Sequence, residues 1–343
     1  MHDLQKKRRN RKRWFVLPLL LSLIVIVSAC GNNTPGAENN ESIARDTSSA
    51  TQAPATADTS QTSTEATGSS TFKIVSTING DIEIPSQPKR IVAEEYLGSL
   101  IALDTIPVGA PGLTLQNVYF QEALQGVEDT GTYGKMDAEK IIAQEPDLII
   151  SGNNESYAAL SKIAPTVVVP YGELKNAHEE LEYFGKLLGK EKEAAAWLSE
   201  YDERIATAKA KVDKAIPVDA TFSIMEYSEK TTWTYGDNFG RGGQPIYQAL
   251  GRKPPAEVAD EIMEKQWAEL SSEVLSKYAG DYIILTSNDK TIEDFKSDPI
   301  WSSLPAVKNN HMYVWKEERS WYYDPIAVLS QTEELADWLE NNK

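Results

Sequence analysis

The chain has 343 residues, with 34 Lys and Arg against 51 Asp and Glu, a formal net charge of −17 and a single cysteine. One thiol excludes an intramolecular disulfide framework and a thiolate metal cluster. So acidic a protein is soluble and ill suited to nucleic acid, which is bound through phosphate contacts.

The chain opens on MHDLQKKRRNRKRW, a dense positive run, followed by the apolar segment Phe15 to Val27. At about 13 residues this segment is too short to span a bilayer, and charged run plus apolar core is the layout of a secretory signal. It ends in Val27-Ser28-Ala29-Cys30 with Gly31 next. This resembles the lipobox of bacterial lipoproteins, which are cut before the cysteine and carry a diacylglyceryl group on its sulfur. The resemblance implies a signal peptide over 1–29, lipidation of Cys30 and a protein anchored at the extracellular face of the cell membrane. Removing the leader takes away seven basic residues and one acidic residue, moving the formal charge from −17 to −23.

From 30 to 70 the composition shifts to Ser, Thr, Ala, Asn and Gln, with few large apolar side chains. Such a tract cannot bury enough apolar surface to offset its ordering entropy, and reads as a disordered tether. At ~5–6 Å × √n it would hold the folded part a few tens of Å from the membrane.

About 270 residues remain, which suits two lobes better than one small domain. FKIVSTINGDIEIP holds two alternating runs joined by Asn79-Gly80, a strong hairpin signal. Short β-rich runs follow at 90–95, 147–151 and 166–170, alternating with segments of helical period, which argues for α/β units. The stretch 190–215, rich in Ala, Glu and Lys and free of Gly and Pro, predicts one helix close to 40 Å long at 1.5 Å per residue. After Pro217 the alternation restarts, with strands at 220–227, 281–286 and 311–315 and a helix at 243–250. The predicted organisation is two α/β lobes, 71–189 and 217–343, joined by a single long helix over 190–216, with a ligand cleft between them. Each lobe carries an echo: Glu139 lies eight residues ahead of Asp147, and Glu273 eight ahead of Asp281, each aspartate opening an apolar strand.

Catalytic constellations are missing. Beyond the leader the histidines are His178, in a predicted exposed helix, and His311, at a strand start; neither has metal-ligand spacing. There is no G-x-S-x-G elbow and no P-loop, and GRGGQP breaks the dinucleotide pattern. No enzyme activity, cofactor or direct metal ligand is expected, and a secreted hydrolase is disfavoured.

Aromatic residues concentrate in the second lobe, several in turn-like contexts, among them Trp233 and Tyr235 before a glycine cluster and Trp321, Tyr322 and Tyr323 before Asp324-Pro325. Asp324 and Pro325 suit the N-cap and first position of a last helix. Loop aromatics offer rigid contact area that fits either a ligand wall or a cap on the lobe's own core. Arg241 stands among Gly240, Gly242 and Gly243, which allow close backbone approach and leave the guanidinium little cover. A helix starting near Gly243 would aim free N–H groups at the same place. Local sequence leaves open a ligand-binding arginine and a surface salt bridge in a flexible loop.

The lipobox, tether and opening hairpin, with PKRIVAEEYLGSLIALDTIPVGA (88–110), KMDAEKIIAQEPDLIIS (135–151), APTVVV (164–169), the long helix and TYGDNFGRGGQPIYQALG (234–251), together resemble the iron-siderophore binding lipoproteins of Gram-positive ABC importers. The resemblance is greatest to the ferric-hydroxamate binders and covers Phe72 to Lys343. It implies a monomeric receptor holding a ferric siderophore in a shallow interlobe cleft and delivering it to ABC permease subunits. It assigns ligand contacts to Arg241, Phe239 and Trp321, and also to Tyr235 and Tyr322. From the first lobe, Glu95, Tyr96, Tyr133 and Tyr157 are candidates for the opposite wall. Where such binders can carry tryptophan, this chain has Phe239. The resemblance also implies that Glu139 and Glu273 dock on permease arginines; ordinary acids favoured at helix N-termini are the alternative. One arginine in an acidic chain favours hydroxamate or citrate-hydroxamate complexes over triply charged catecholates. Cobalamin, haem or a catecholate on the same fold is the alternative ligand.

Overall fold

The computed structural model describes residues 71–342; the leader, Cys30 and the Ser/Thr-rich tract lie outside the described residues. The predicted hairpin is present as antiparallel strands β1 (Phe72–Thr77) and β2 (Gly80–Pro85), with Gly80 at φ 93° in the turn. The first lobe continues through β3 (Ile91–Ala93), α1 (Leu97–Ala102), β4 (Gly109–Ala110) and β5 (Glu128–Asp129). The small hairpin β6 (Gly131–Thr132) and β7 (Lys135–Met136) leads to α2 (Ala138–Ala143), β8 (Leu148–Ser151), α3 (Tyr157–Leu160), β9 (Thr166–Val168) and α4 (Ala177–Leu188).

Five of these strands form an all-parallel sheet in the order β5-β4-β3-β8-β9. Successive residues feed opposite cores: Ile91, Ala93, Leu148 and Ile150 enter one cluster, Val92 and Ile149 another. A parallel sheet covered on both faces therefore reads as an unbroken apolar run, the pattern seen at 147–151.

Helix α5 (Glu191–Ala215) is the long element expected between the lobes. Its first half, through Ala194, Leu198 and Tyr201, packs into the first lobe's core, and its second half, through Ala208 and Val212, into the second's. One rigid rod is thereby fixed at both ends.

The second lobe runs through β10 (Phe222–Ser228), β11 (Thr231–Tyr235), a wide turn of helix over Gln244–Ala249, α6 (Ala259–Lys265), β12 (Trp267–Leu270) and α7 (Leu275–Tyr278). It ends with β13 (Tyr282–Thr286), α8 (Ile292–Ser297), α9 (Pro305–Lys308), β14 (Met312–Trp315), α10 (Glu317–Ser320) and α11 (Pro325–Asn341). Its sheet, ordered β12-β11-β10-β13-β14, is parallel from β10 through β14 and antiparallel on the other side. The α/β, two-lobed architecture follows the sequence expectation. Helix α11 adds a second link: Leu329 enters the first lobe's core, whereas Leu335, Ala336 and Leu339 enter the second's.

The echo has a structural cause. Asp147 accepts the backbone N–H of Lys89 (2.7 Å) and Arg90 (2.9 Å), just ahead of β3. Asp281 accepts the N–H and hydroxyl of Thr221 (both 2.8 Å), just ahead of β10. In each lobe the aspartate opening one central strand clamps the start of its parallel neighbour.

Two local expectations are corrected. Trp233 and Tyr235 are not in a turn but in β11, paired with Glu226 and Ile224 of β10. The helix near Gly243 is a single widened turn, closed by Leu250 N–H to Pro245 O at 2.9 Å. Its approach offers no free donor array, because Gly240 N–H is given to Gln244 Oε1 (3.1 Å), Arg241 N–H to Ser320 O (2.7 Å) and Gly243 N–H to Gly240 O (2.9 Å).

Candidate ligand-binding cleft

Arg241 has the left-handed φ of 58°, between Gly240 at 72° and Gly242 at 97°. The glycines are needed for space as well as dihedral angle. A Cβ on Gly240 would lie 2.5 Å from Trp321 O, and one on Gly242 would lie 2.8 Å from the Trp315 ring. The loop is therefore pressed by its backbone onto residues 320 and 321. The expectation of an uncovered guanidinium is corrected: its carbon lies 4.7 Å from the Trp321 ring centre, 5.0 Å from Tyr235 and 5.5 Å from Phe239. Nε donates to Glu226 Oε2 at 2.8 Å, and the same oxygen accepts the Tyr235 hydroxyl at 2.9 Å. Glu226 is buried on β10, so the pair is shielded from solvent and the cation arrives already compensated. One Nη donates to Phe239 O at 3.3 Å, and the guanidinium also interacts with the Tyr235 hydroxyl.

Aromatic packing carries this centre across to the first lobe. Tyr235 stacks on Phe239 at 5.4 Å, Phe239 meets the edge of Tyr171 at 6.0 Å, and Tyr171 meets Tyr323 at 5.4 Å. Tyr171 follows β9, at the carboxyl ends of the parallel strands, where open α/β sheets place their ligands. On the opposite flank, Tyr119 of the first lobe donates its hydroxyl to Arg319 O at 2.8 Å and meets Tyr322 edge-on at 6.4 Å.

Behind Trp321 lies a cavity of about 410 Å³, walled by Tyr96, Tyr133, Tyr171, Tyr322 and Tyr323 and containing the carboxyls of Glu95, Glu180 and Asp324. Burial raises all three above the usual carboxylate range. Glu95 reaches about 7, with Glu94 and Asp324 adding repulsion and the Tyr323 hydroxyl partly offsetting it. Glu180 reaches about 8, against a hydrogen bond from Ser99. Asp324 reaches about 6, held down by the N–H of Ala327, which it caps, and by the Asn117 amide at 3.1 Å. Tyr171 lines a second hollow with Phe239, and Trp321 and Tyr322 line a third with Lys316, so one groove runs along the interlobe boundary.

Comparison with known proteins fits this geometry. Residues 91–319 match the profile of the periplasmic binding protein family. The chain belongs to that family. The iron(3+)-hydroxamate-binding protein YxeB of Bacillus subtilis is 32% identical over 344 residues, covering 97% of this chain and 99% of the relative. The iron(3+)-hydroxamate-binding protein FhuD of the same organism is 34% identical, covering 93% and 95%. Among solved structures, FhuD2 from Staphylococcus aureus with bound ferrioxamine B superimposes with a TM-score of 0.67 at 34% identity, over 74% of this chain and 99% of that one.

Within this periplasmic binding protein, Arg241, Phe239, Trp321 and Tyr235 converge on one centre, and Trp321, Tyr322, Tyr96 and Tyr133 border the adjoining cavity. Tyr235 and Tyr96 are supporting rather than exposed: the first is tied to Glu226, and the hydroxyl of the second donates to Val169 O at 2.9 Å. Tyr157 opens α3 and borders none of the three hollows. Glu139 and Glu273 are exposed and stand outside the groove, one on each lobe. Sequence reasoning missed Glu226, Tyr171 and the carboxyls of Glu180 and Asp324, and named Tyr323 only as one of several loop aromatics. A glutamate inside the strand run SIMEYS, and a tyrosine just past TVVVP, were the available signals.

Proposed function

We propose that this protein is a non-enzymatic receptor that binds a ferric siderophore of the hydroxamate or citrate-hydroxamate class and delivers it to ABC permease subunits. The observation that carries the reading is the Arg241 centre: a guanidinium set among three aromatic rings and charge-matched by Glu226. A ferric trishydroxamate is an oxygen-coated, roughly neutral body with aliphatic arms. Aromatic faces suit the arms, and the guanidinium suits an iron-ligating oxygen. The names of the relatives above support the same class.

Beside Trp321 a triply charged catecholate would meet one compensated arginine and a cavity with three carboxyls and no lysine, a poor electrostatic match. Haem would lack an imidazole, since His178 pairs with Asp202 and His311 stacks on Tyr282, both away from the groove. In the full reading, Cys30 carries a lipid that holds a monomer at the extracellular face, and Glu139 and Glu273 orient it on the permease. No catalytic group or resident cofactor is part of it.

The test is a tryptophan-fluorescence titration of the purified protein against a panel. Ferric hydroxamates or citrate-hydroxamates should quench Trp321, while ferric catecholates, haem and cobalamin should not. Silence with every hydroxamate and citrate-hydroxamate complex would overturn the reading.

A further inference from the structure

We infer that the cavity behind Trp321 is a subsite for a primary ammonium carried on an aliphatic arm of the ligand, so that cationic hydroxamate complexes are preferred over neutral ones. This deepens the proposed function and rests on it.

Of the three hollows along the groove, those bordered by Phe239 and by Lys316 mix acids with lysines: Lys175 and Lys265 in one, Lys316 in the other. The cavity behind Trp321 carries three carboxyls and no Lys, Arg or His. Tyrosine and tryptophan rings, whose faces attract cations, share its remaining surface with Leu97, Pro111, Leu113 and Phe120, which suit an aliphatic arm. Aromatic faces closing on carboxyls form a box for a desolvated ammonium, whereas a neutral arm would leave the second carboxyl oxygen of Glu180 without a partner.

Glu180 gives a second, independent indication. The residue is 3% exposed; the Ser99 hydroxyl donates to one carboxyl oxygen, and the other has no hydrogen-bond partner among the described residues although the residue borders the cavity. Metal chemistry does not account for the group, since among the described residues no set of three or more His, Cys, Asp or Glu is arranged to hold an ion. The cavity is also reachable. Trp321 and Tyr322 border both it and the neighbouring hollow, and the Trp321 ring packs on Arg241, so the cavity adjoins the Arg241 centre across the indole.

The geometry carries a pH signature. Glu95 is faced by Glu94 and Tyr96 beside it, Glu180 of α4, Asp324 from the start of α11, and the hydroxyls of Tyr323, Tyr133 and Tyr171. Its acidity falls within the working range, at about 7, while an alkyl ammonium stays charged to beyond pH 9. Attraction for the arm therefore grows as pH rises from 5.5 to 8.

The experiment compares ferrioxamine B, a linear trishydroxamate complex with a free primary amine, with its N-acetylated derivative, by titration of the purified protein. At pH 8 the free amine should bind about tenfold tighter or more, the scale of one charge-assisted hydrogen bond. The ratio should shrink at pH 5.5 and in Glu95→Gln. Equal affinities at pH 8 would overturn the subsite while leaving the hydroxamate reading in place. Binding of neither complex would also overturn the subsite, and silence across the whole panel of hydroxamate and citrate-hydroxamate complexes would refute the reading it rests on. The comparison of the two ligands needs no variant, so it stands even if Glu95→Gln folds poorly; a full ratio retained in folded Glu95→Gln and Glu180→Gln would also overturn it.

Discussion

Glu226 and Arg241, fifteen residues apart, meet at 2.8 Å beneath the aromatic rings, and the Tyr235 hydroxyl completes the same carboxylate oxygen. The pair explains how an arginine can sit in an aromatic cup without carrying an uncompensated charge. Removing one partner leaves the other buried alone. Glu226→Ala should therefore destabilise the fold by about 3–5 kcal/mol, read as a lower urea midpoint with unchanged slope, and should weaken ligand binding in the same preparation.

Gly240 tests whether the cup depends on backbone contact. Its φ of 72° and the 2.5 Å approach of Trp321 O to a hypothetical Cβ leave no room for a side chain. Gly240→Ala should lift the Arg241 loop from Ser320 and Trp321, costing about 1–3 kcal/mol. Ligand affinity should fall with it, whereas Gly126→Ala, also at positive φ but with open space around the site, should cost stability without changing affinity.

The buried carboxyls predict how stability depends on pH. Glu95, Glu180 and Asp324 hold protons in the fold more tightly than in the unfolded chain, with values of about 7, 8 and 6. The folded state therefore binds more protons across this window, and stability falls as pH rises. The contribution is complete below about pH 4, where unfolded carboxyls are protonated, and is lost by about pH 8. The thermal midpoint of the ligand-free protein should decline from pH 5 to pH 8, and Glu180→Gln should flatten that decline by a few degrees. A midpoint that rises steadily across this interval would contradict the burial argument.

In the proposed reading, Glu139 and Glu273, exposed and one per lobe, serve delivery rather than capture. Changing both to alanine should leave siderophore affinity within about twofold, since neither borders the groove, and should abolish uptake in cells. Normal uptake by the double variant would remove the docking role.

The framework was legible because it rests on local patterns. The Gly- and Pro-free run at 190–215, Asn79-Gly80, the apolar strands and the Asp324-Pro325 cap each became the predicted element. Strand β12 was hidden, because MEKQWAEL continues the helical pattern of α6 until Gln266 turns left-handed at φ 67°. In the cleft, the loop residues Arg241, Phe239 and Trp321 stood out by type and neighbours. Their supports did not. Glu226 was one acid among 51, and only pairing across β10 and β11 shows that it points at Arg241. Tyr171 and Asp324 meet the site from elements far apart in sequence, which no local pattern encodes.

The most direct test of the account is the dissociation constant of a ferric trishydroxamate for wild type and for Arg241→Ala, with circular dichroism to verify that both are folded. Loss of a charged hydrogen bond and of the cation over three rings should weaken binding by about 1.5–3 kcal/mol, or roughly tenfold to a hundredfold. Equal dissociation constants for the two folded proteins would contradict the assignment of Arg241 as the polar contact of the cleft.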